Sequence, residues 1–110
     1  MEVQITENGV ILTNEQRHLT NQRVHFALGR FCSRVRSVAV LFTDQNGPKG
    51  GKDVLCKLRI RLNPGGQLLI TDSDSSVEAA ITNSADRAGR SVARLLDRQR
   101  EHSGVSMSGE

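Results

Sequence analysis

The chain has no tryptophan, no tyrosine and only three phenylalanines, Phe26, Phe31 and Phe42. Sheets that read single-stranded RNA stack bases on several displayed rings, and this composition cannot furnish such a platform. Any nucleic-acid contact is therefore expected to fall mainly on phosphate and sugar, recognising shape more than sequence. Cysteine is nearly absent. Cys32 and Cys56 have a spacing that fits no metal site, and both read as buried, reduced thiols in a cytosol. No run of eighteen apolar residues occurs, and Met1 to Thr6 alternates where a signal peptide would need a basic start and an apolar stretch. Neither a membrane span nor a signal peptide is expected, and the expected compartment is the cytoplasm.

Catalytic signatures are also missing. His18, His25 and His102 have no cysteine or carboxylate at a spacing that defines a metal or triad site, so neither an enzyme, a metal, a cofactor nor a small-molecule substrate is expected. The glycine-rich segment fails as a phosphate loop. Gly51-Lys52 is followed by Asp53 where a hydroxyl residue is required, Asn46 stands where the first glycine belongs, and the segment joins two strands. A hairpin connection carrying Lys49 and Lys52 remains.

What the chain does have is arginine in rows. The 110 residues carry a net charge of +3 and a pI near 9.4, a mild excess that leaves the partner to be argued from where the charges sit. Arg87, Arg90, Arg94 and Arg98 recur three and four residues apart within a segment whose Val77, Ala80, Ile81, Ala85, Ala88, Val92 and Leu95 fall at helical period. On a helix turning about 100° per residue, the arginines form a row roughly 135° from the apolar stripe. Fixed guanidinium forks one turn apart suit a long polyanion, which points to nucleic acid. The plainer alternative is a solvated face, partly neutralised by Asp86, Asp97 and Glu101 through i,i+3 and i,i+4 pairs.

The rest of the pattern orders the elements. Val3 and Ile5 mark a first strand, broken at Asn8-Gly9. Thr13-Asn14-Glu15-Gln16 is a capping box that opens a helix with the stripe Thr20, Val24, Ala27, Leu28, Phe31 and Val35, flanked by Arg23, Arg30 and Arg34. Gly29 weakens that helix, and Leu19 and Phe26 lie on its opposite side. Val38, Val40 and Phe42 share a face of the second strand, and the turn-forming segment 43–53 leads to the third. There Val54, Cys56, Leu58, Ile60 and Leu62 point one way and Lys57, Arg59 and Arg61 the other. Asn63-Pro64-Gly65-Gly66 turns into a fourth strand with Leu68 and Ile70 inward. Ser75 with Glu78 forms a second capping box, opening a helix that runs to about Arg100. The predicted fold is α+β, in the order βαβββα: a four-stranded sheet with two roughly parallel helices packed on one face. Residues 1–101 form one domain, and residues 102–110, rich in serine and glycine, are expected to be a disordered tail.

This ordered set resembles the bacterial ribosome hibernation-promoting factors and ribosome-associated translation inhibitors, once labelled sigma-54 modulation proteins. The resemblance spans residues 2–100. It rests on the element order, on Leu28-Gly29-Arg30-Phe31 leading into Val35-Arg36-Ser37-Val38, and on the basic strand Cys56 to Leu62 followed by Pro64-Gly65-Gly66. Val77-Glu78-Ala79-Ala80-Ile81 with Ala85-Asp86-Arg87 completes it. The segment Asp44 to Asp53 is similar to that of a short proteobacterial branch. The resemblance implies a stress-response protein that binds the small ribosomal subunit where messenger and transfer RNA sit. It would contact ribosomal RNA through basic side chains and hold idle ribosomes inactive. By position the implied contacts are Arg87, Arg90, Arg94 and Arg98, with Arg23, Arg30 and Arg34, and secondarily Lys57, Arg59 and Arg61. Without the extra C-terminal dimerisation domain of long members, the chain resembles the short form, a monomer off the ribosome. The alternative is a small regulatory module on the same fold that uses Phe26, Leu19 and the tail against a protein partner and does not bind ribosomes.

Overall fold

The structure is a computed structural model that describes residues 1–44 and 54–108, with side chains described as far as residue 99. The segment with Lys49 and Lys52 lies outside the described residues. N-terminal alternation produces β1 (Glu2–Asn8), whose Val3 and Ile5 pack against the core. Thr13 then caps α1 (Asn14–Leu28) through the expected reciprocal box. Its hydroxyl accepts the Gln16 amide at 3.1 Å, and the Gln16 side-chain oxygen accepts the Thr13 amide at 3.0 Å.

The first helix ends sooner than its stripe suggested. Gly29–Phe31 form one 3-10 turn, and Val35 opens β2 (Val35–Asp44). Gly29 is a poor helix former, while Val35, Val38 and Val40 gain more from burial in a sheet than from a helix that restricts their branched side chains. Leu19, expected on the outer side, is half-buried against the core.

β3 (Val54–Leu62) and β4 (Gln67–Asp74) complete a sheet ordered β1-β2-β3-β4, with β1 parallel to β2 and the remaining pairs antiparallel. The β3–β4 turn closes through the Leu62 amide donating to the Gly66 carbonyl at 2.9 Å, with Gly66 at φ +93, a conformation that side chains resist.

α2 (Val77–Ser108) starts one residue later than the expected Ser75 cap. The Ser75 hydroxyl donates to the Asp74 carboxylate at 3.3 Å, as its amide does at 2.7 Å, and the Ser76 hydroxyl takes the capping role, accepting the Ala79 amide at 3.1 Å. At its other end α2 runs on to Ser108, beyond the expected end near Arg100 and into the segment expected to be a disordered tail.

Both helices cover one sheet face. Val38, Val40 and Phe42, with Cys56, Leu58, Ile60 and Ile70, meet Val24 and Leu28 of α1 and Ile81, Ala88, Val92 and Leu96 of α2. Leu96 takes the deeper place assigned to Leu95, which is half-buried. Each fully buried Phe, Leu or Ile contributes about 1.5–3 kcal/mol, so this layer dominates stability. Gln16 reaches Glu78 at 3.2 Å near the helix starts, and Gly89 meets Ala27 farther along, so the helices run parallel. A Cβ on Gly89 would stand 3.0 Å from the Ala27 carbonyl oxygen, which makes glycine the residue that permits this crossing. Of the two cysteines expected to be buried, Cys56 is and Cys32 is exposed. Residue 32 follows the 3-10 turn outside the sheet, where nothing covers it.

Candidate nucleic-acid interface

The topology divides the basic candidates between two sides of the molecule. Strand parity puts Lys57, Arg59 and Arg61 on the sheet face that carries no helix. Their cross-strand partners there are Leu41, Ala39 and Ser37 on β2 and Thr71, Leu69 and Gln67 on β4. Arg23, Arg30, Arg34, Arg87, Arg90, Arg94 and Arg98 all lie on the helical side. No single patch can use all ten candidates at once.

On the helical side the arginines differ in freedom. Arg87 donates to the Thr71 carbonyl of β4 at 2.9 Å and pairs with Asp72 at 3.6 Å, so it occupies an edge-strand carbonyl that would otherwise face water. Arg34 lies in the connection before β2, not on the first helix. Its Nε donates to the Asn63 carbonyl at 3.1 Å and its terminal nitrogen to Gln99 at 2.9 Å, tying the β3–β4 turn to α2. Arg30 sits in the 3-10 turn with its guanidinium 4.7 Å from the Phe31 ring centroid. These three combine exposed charge with a local structural duty.

Arg23, Arg90, Arg94 and Arg98 are exposed, and among the described residues none closes an ion pair. Of the carboxylates expected to neutralise the row, Asp86 and Asp97 form no salt bridge with Arg90, Arg94 or Arg98 among the described residues, and the side chain of Glu101 lies outside them. Unpaired guanidinia keep their forks available for external oxyanions.

Parallel helices bring part of this set together. Arg30 and Arg90 line a depression between α1 and α2 with Phe26, Ala27, Asp86 and Gly89. Beside it, Arg23 and Gln22 border the other flank of Phe26. Towards the β2 end, Arg30 and Arg34 line a second groove with Phe31, Leu96, Asp97 and Gln99. This grouping needs the helix register, which no spacing within one element reveals.

Arg36 belongs to the motif that carries the resemblance but not to the expected contacts. It is exposed at the irregularity of β2, where the register shifts between Val35 and Ser37. The buried Val35 and Val38, three apart, were the available sign that alternation breaks there. Among the described residues no group of His, Cys, Asp and Glu could hold a metal ion, and no helix is long and apolar enough to cross a membrane.

No protein-family model matches the chain, and no curated protein matches it. Solved structures do. A ribosomal subunit interface protein from Coxiella burnetii superposes with a TM-score of 0.76 at 13% identity, over 88% of this chain and 99% of the other. The N-terminal domain of Protein Y from Thermus thermophilus superposes with a TM-score of 0.70 at 19% identity, over 86% of this chain and 99% of that domain. At these identities the likeness is one of fold, and that fold is the predicted βαβββα arrangement.

Proposed function

We propose that this chain, through a unit spanning residues 1–101, binds the small ribosomal subunit in the channel for messenger and transfer RNA. It represses translation there by occupancy, as a cytoplasmic hibernation factor of bacterial type. The observation that carries the proposal is the set of exposed arginines on the helical side that close no ion pair among the described residues, Arg23, Arg90, Arg94 and Arg98, joined by Arg30 across the helix pair. It is supported by a fold shared with a ribosomal subunit interface protein, and by a motif order that resembles the family of both structural neighbours. Arg34 and Arg87 add positive charge at the borders, and the open-sheet residues Lys57, Arg59 and Arg61 form a secondary surface.

Occupancy needs no bond-making, only a basic body fixed against phosphates. Each phosphate neutralised releases condensed counterions, so binding through about six contacts weakens by orders of magnitude between about 50 and 200 mM salt. Co-sedimentation of the purified monomeric protein with small subunits across that range is the test. Steep loss with salt, together with inhibition of a translation extract and no release of nucleotide or RNA fragments, is expected. Salt-independent pelleting, or no pelleting at the lowest salt, overturns the proposal.

A further inference from the structure

Phe26 is 82% exposed on α1, although α1 has a core face on which a ring could be buried. Single apolar residues on a surface are ordinary, and Ile11 and Leu69 are exposed here as well. Phe26 differs in its surroundings. Arg23, one turn before it, lines one flank, while Arg30, one turn after it, and Arg90 from α2 line the other. Among the described residues the cation–π contact is Arg30 over Phe31, and no guanidinium sits over Phe26. Its ring face is therefore open within a frame of three cations.

From this arrangement we infer that the depression between α1 and α2 is a nucleobase site: Phe26 takes the face of one unpaired base, and Arg23, Arg30 and Arg90 hold the flanking phosphates. This rests on the RNA-binding reading above and narrows it, from contacts with backbone alone to backbone plus one unstacked base. Asp86 lines the same depression. A carboxylate repels a phosphate but accepts hydrogen bonds from a base amino group, so its presence beside the ring favours a base over a phosphate at that point. A flat ring has a face for every base, so the site selects unpaired nucleotides without selecting a sequence. The duplex offers no such base, which gives the site a preference for loops and single strands.

The absence of native tryptophan and tyrosine makes the test clean, because Phe26→Trp supplies the sole such fluorophore in the chain. The probes are a short single-stranded RNA, the same length of abasic strand with equal charge, and a duplex of the same sequence. Expected are quenching of Phe26→Trp by the single strand but not by the abasic strand, and about 10-fold weaker binding of the single strand by Phe26→Ala. Phe26→Ala should bind the abasic strand as the wild type does. The Phe26→Ala loss should persist at high salt, where losses from arginine variants fade. Equal affinity for intact and abasic strands in the wild type overturns the base site while leaving backbone binding in place. Failure to bind any of the three overturns both. Concentration-dependent self-association that disappears in Phe26→Ala would instead assign the ring to a protein contact and also overturns it. Circular dichroism on Phe26→Ala, a substitution at a side chain exposed to solvent, separates loss of binding from loss of fold.

Discussion

Cys56 has no exposed surface in the middle of β3, and burial pushes its thiol from an ordinary 9.0 to about 11, with a Ser84 hydrogen bond opposing the rise and the Asp72 charge adding to it. Between those two values the unfolded chain releases the thiol proton while the folded chain keeps it. Stability therefore falls as pH rises from about 9 to about 11, by up to roughly 2–3 kcal/mol from this group. Urea unfolding at about pH 8 and about pH 11 should show a smaller alkaline loss in Cys56→Ala than in the wild type. Equal losses in both proteins would mean that the thiol titrates alike folded and unfolded. The sequence supported a buried thiol at 56 because strand parity directs it inward with Leu58 and Ile60. The same assumption failed for Cys32, which belongs to no periodic segment and so had no parity to bury it. Phe26 was legible as an outward residue, but its ring of arginines was not, since Arg90 arrives from sixty-odd residues away.

The helix crossing is an element-scale constraint with a measurable consequence. Alanine at 89 would gain about 1 kcal/mol of helix propensity, yet its Cβ would press on the Ala27 carbonyl at 3.0 Å, so the two effects nearly offset. Valine adds branches at the same point with no space to receive them. Gly89→Val is expected to lose about 1–3 kcal/mol in denaturant unfolding and to widen the cleft that Arg30 and Arg90 share. Unchanged stability in that variant would show that the helices do not rely on this close approach. Element types and order were readable from periodicity alone, because alternation in β3 and the stripe of α2 are long and unbroken. Boundaries were less readable where two residues competed for one task. Ser75 and Ser76 can each cap a helix, and the Asp74 carboxylate, by engaging the Ser75 hydroxyl, favours Ser76. Phe31 and Val35 extended the α1 stripe on paper, but a valine-rich strand next in line claimed Val35.

At the scale of the whole molecule, the layered fold sets two basic surfaces back to back, and a single docking event can engage one of them against a rigid RNA wall. The helical side has the larger set of arginines, and Arg23, Arg90, Arg94 and Arg98 there have neither an ion pair nor a structural hydrogen bond among the described residues, whereas the open sheet face mixes Lys57, Arg59 and Arg61 with Leu41, Leu55 and Leu69. Paired charge reversals separate the two. Arg90→Glu with Arg94→Glu should reduce ribosome pelleting by at least about 10-fold, since two charge-assisted contacts become repulsions. Melting should barely move, because exposed substitutions shift stability by about 0.5 kcal/mol or less each. Val92→Asp is the opposite control: it places an unpaired carboxylate against the sheet and should unfold the protein before binding can be judged. Arg59→Glu with Arg61→Glu should leave most pelleting intact. If the sheet pair abolishes pelleting and the helix pair does not, the protein docks through its open sheet face. The arginine rows of the helices then point away from the subunit, free for a second RNA or for solvent alone.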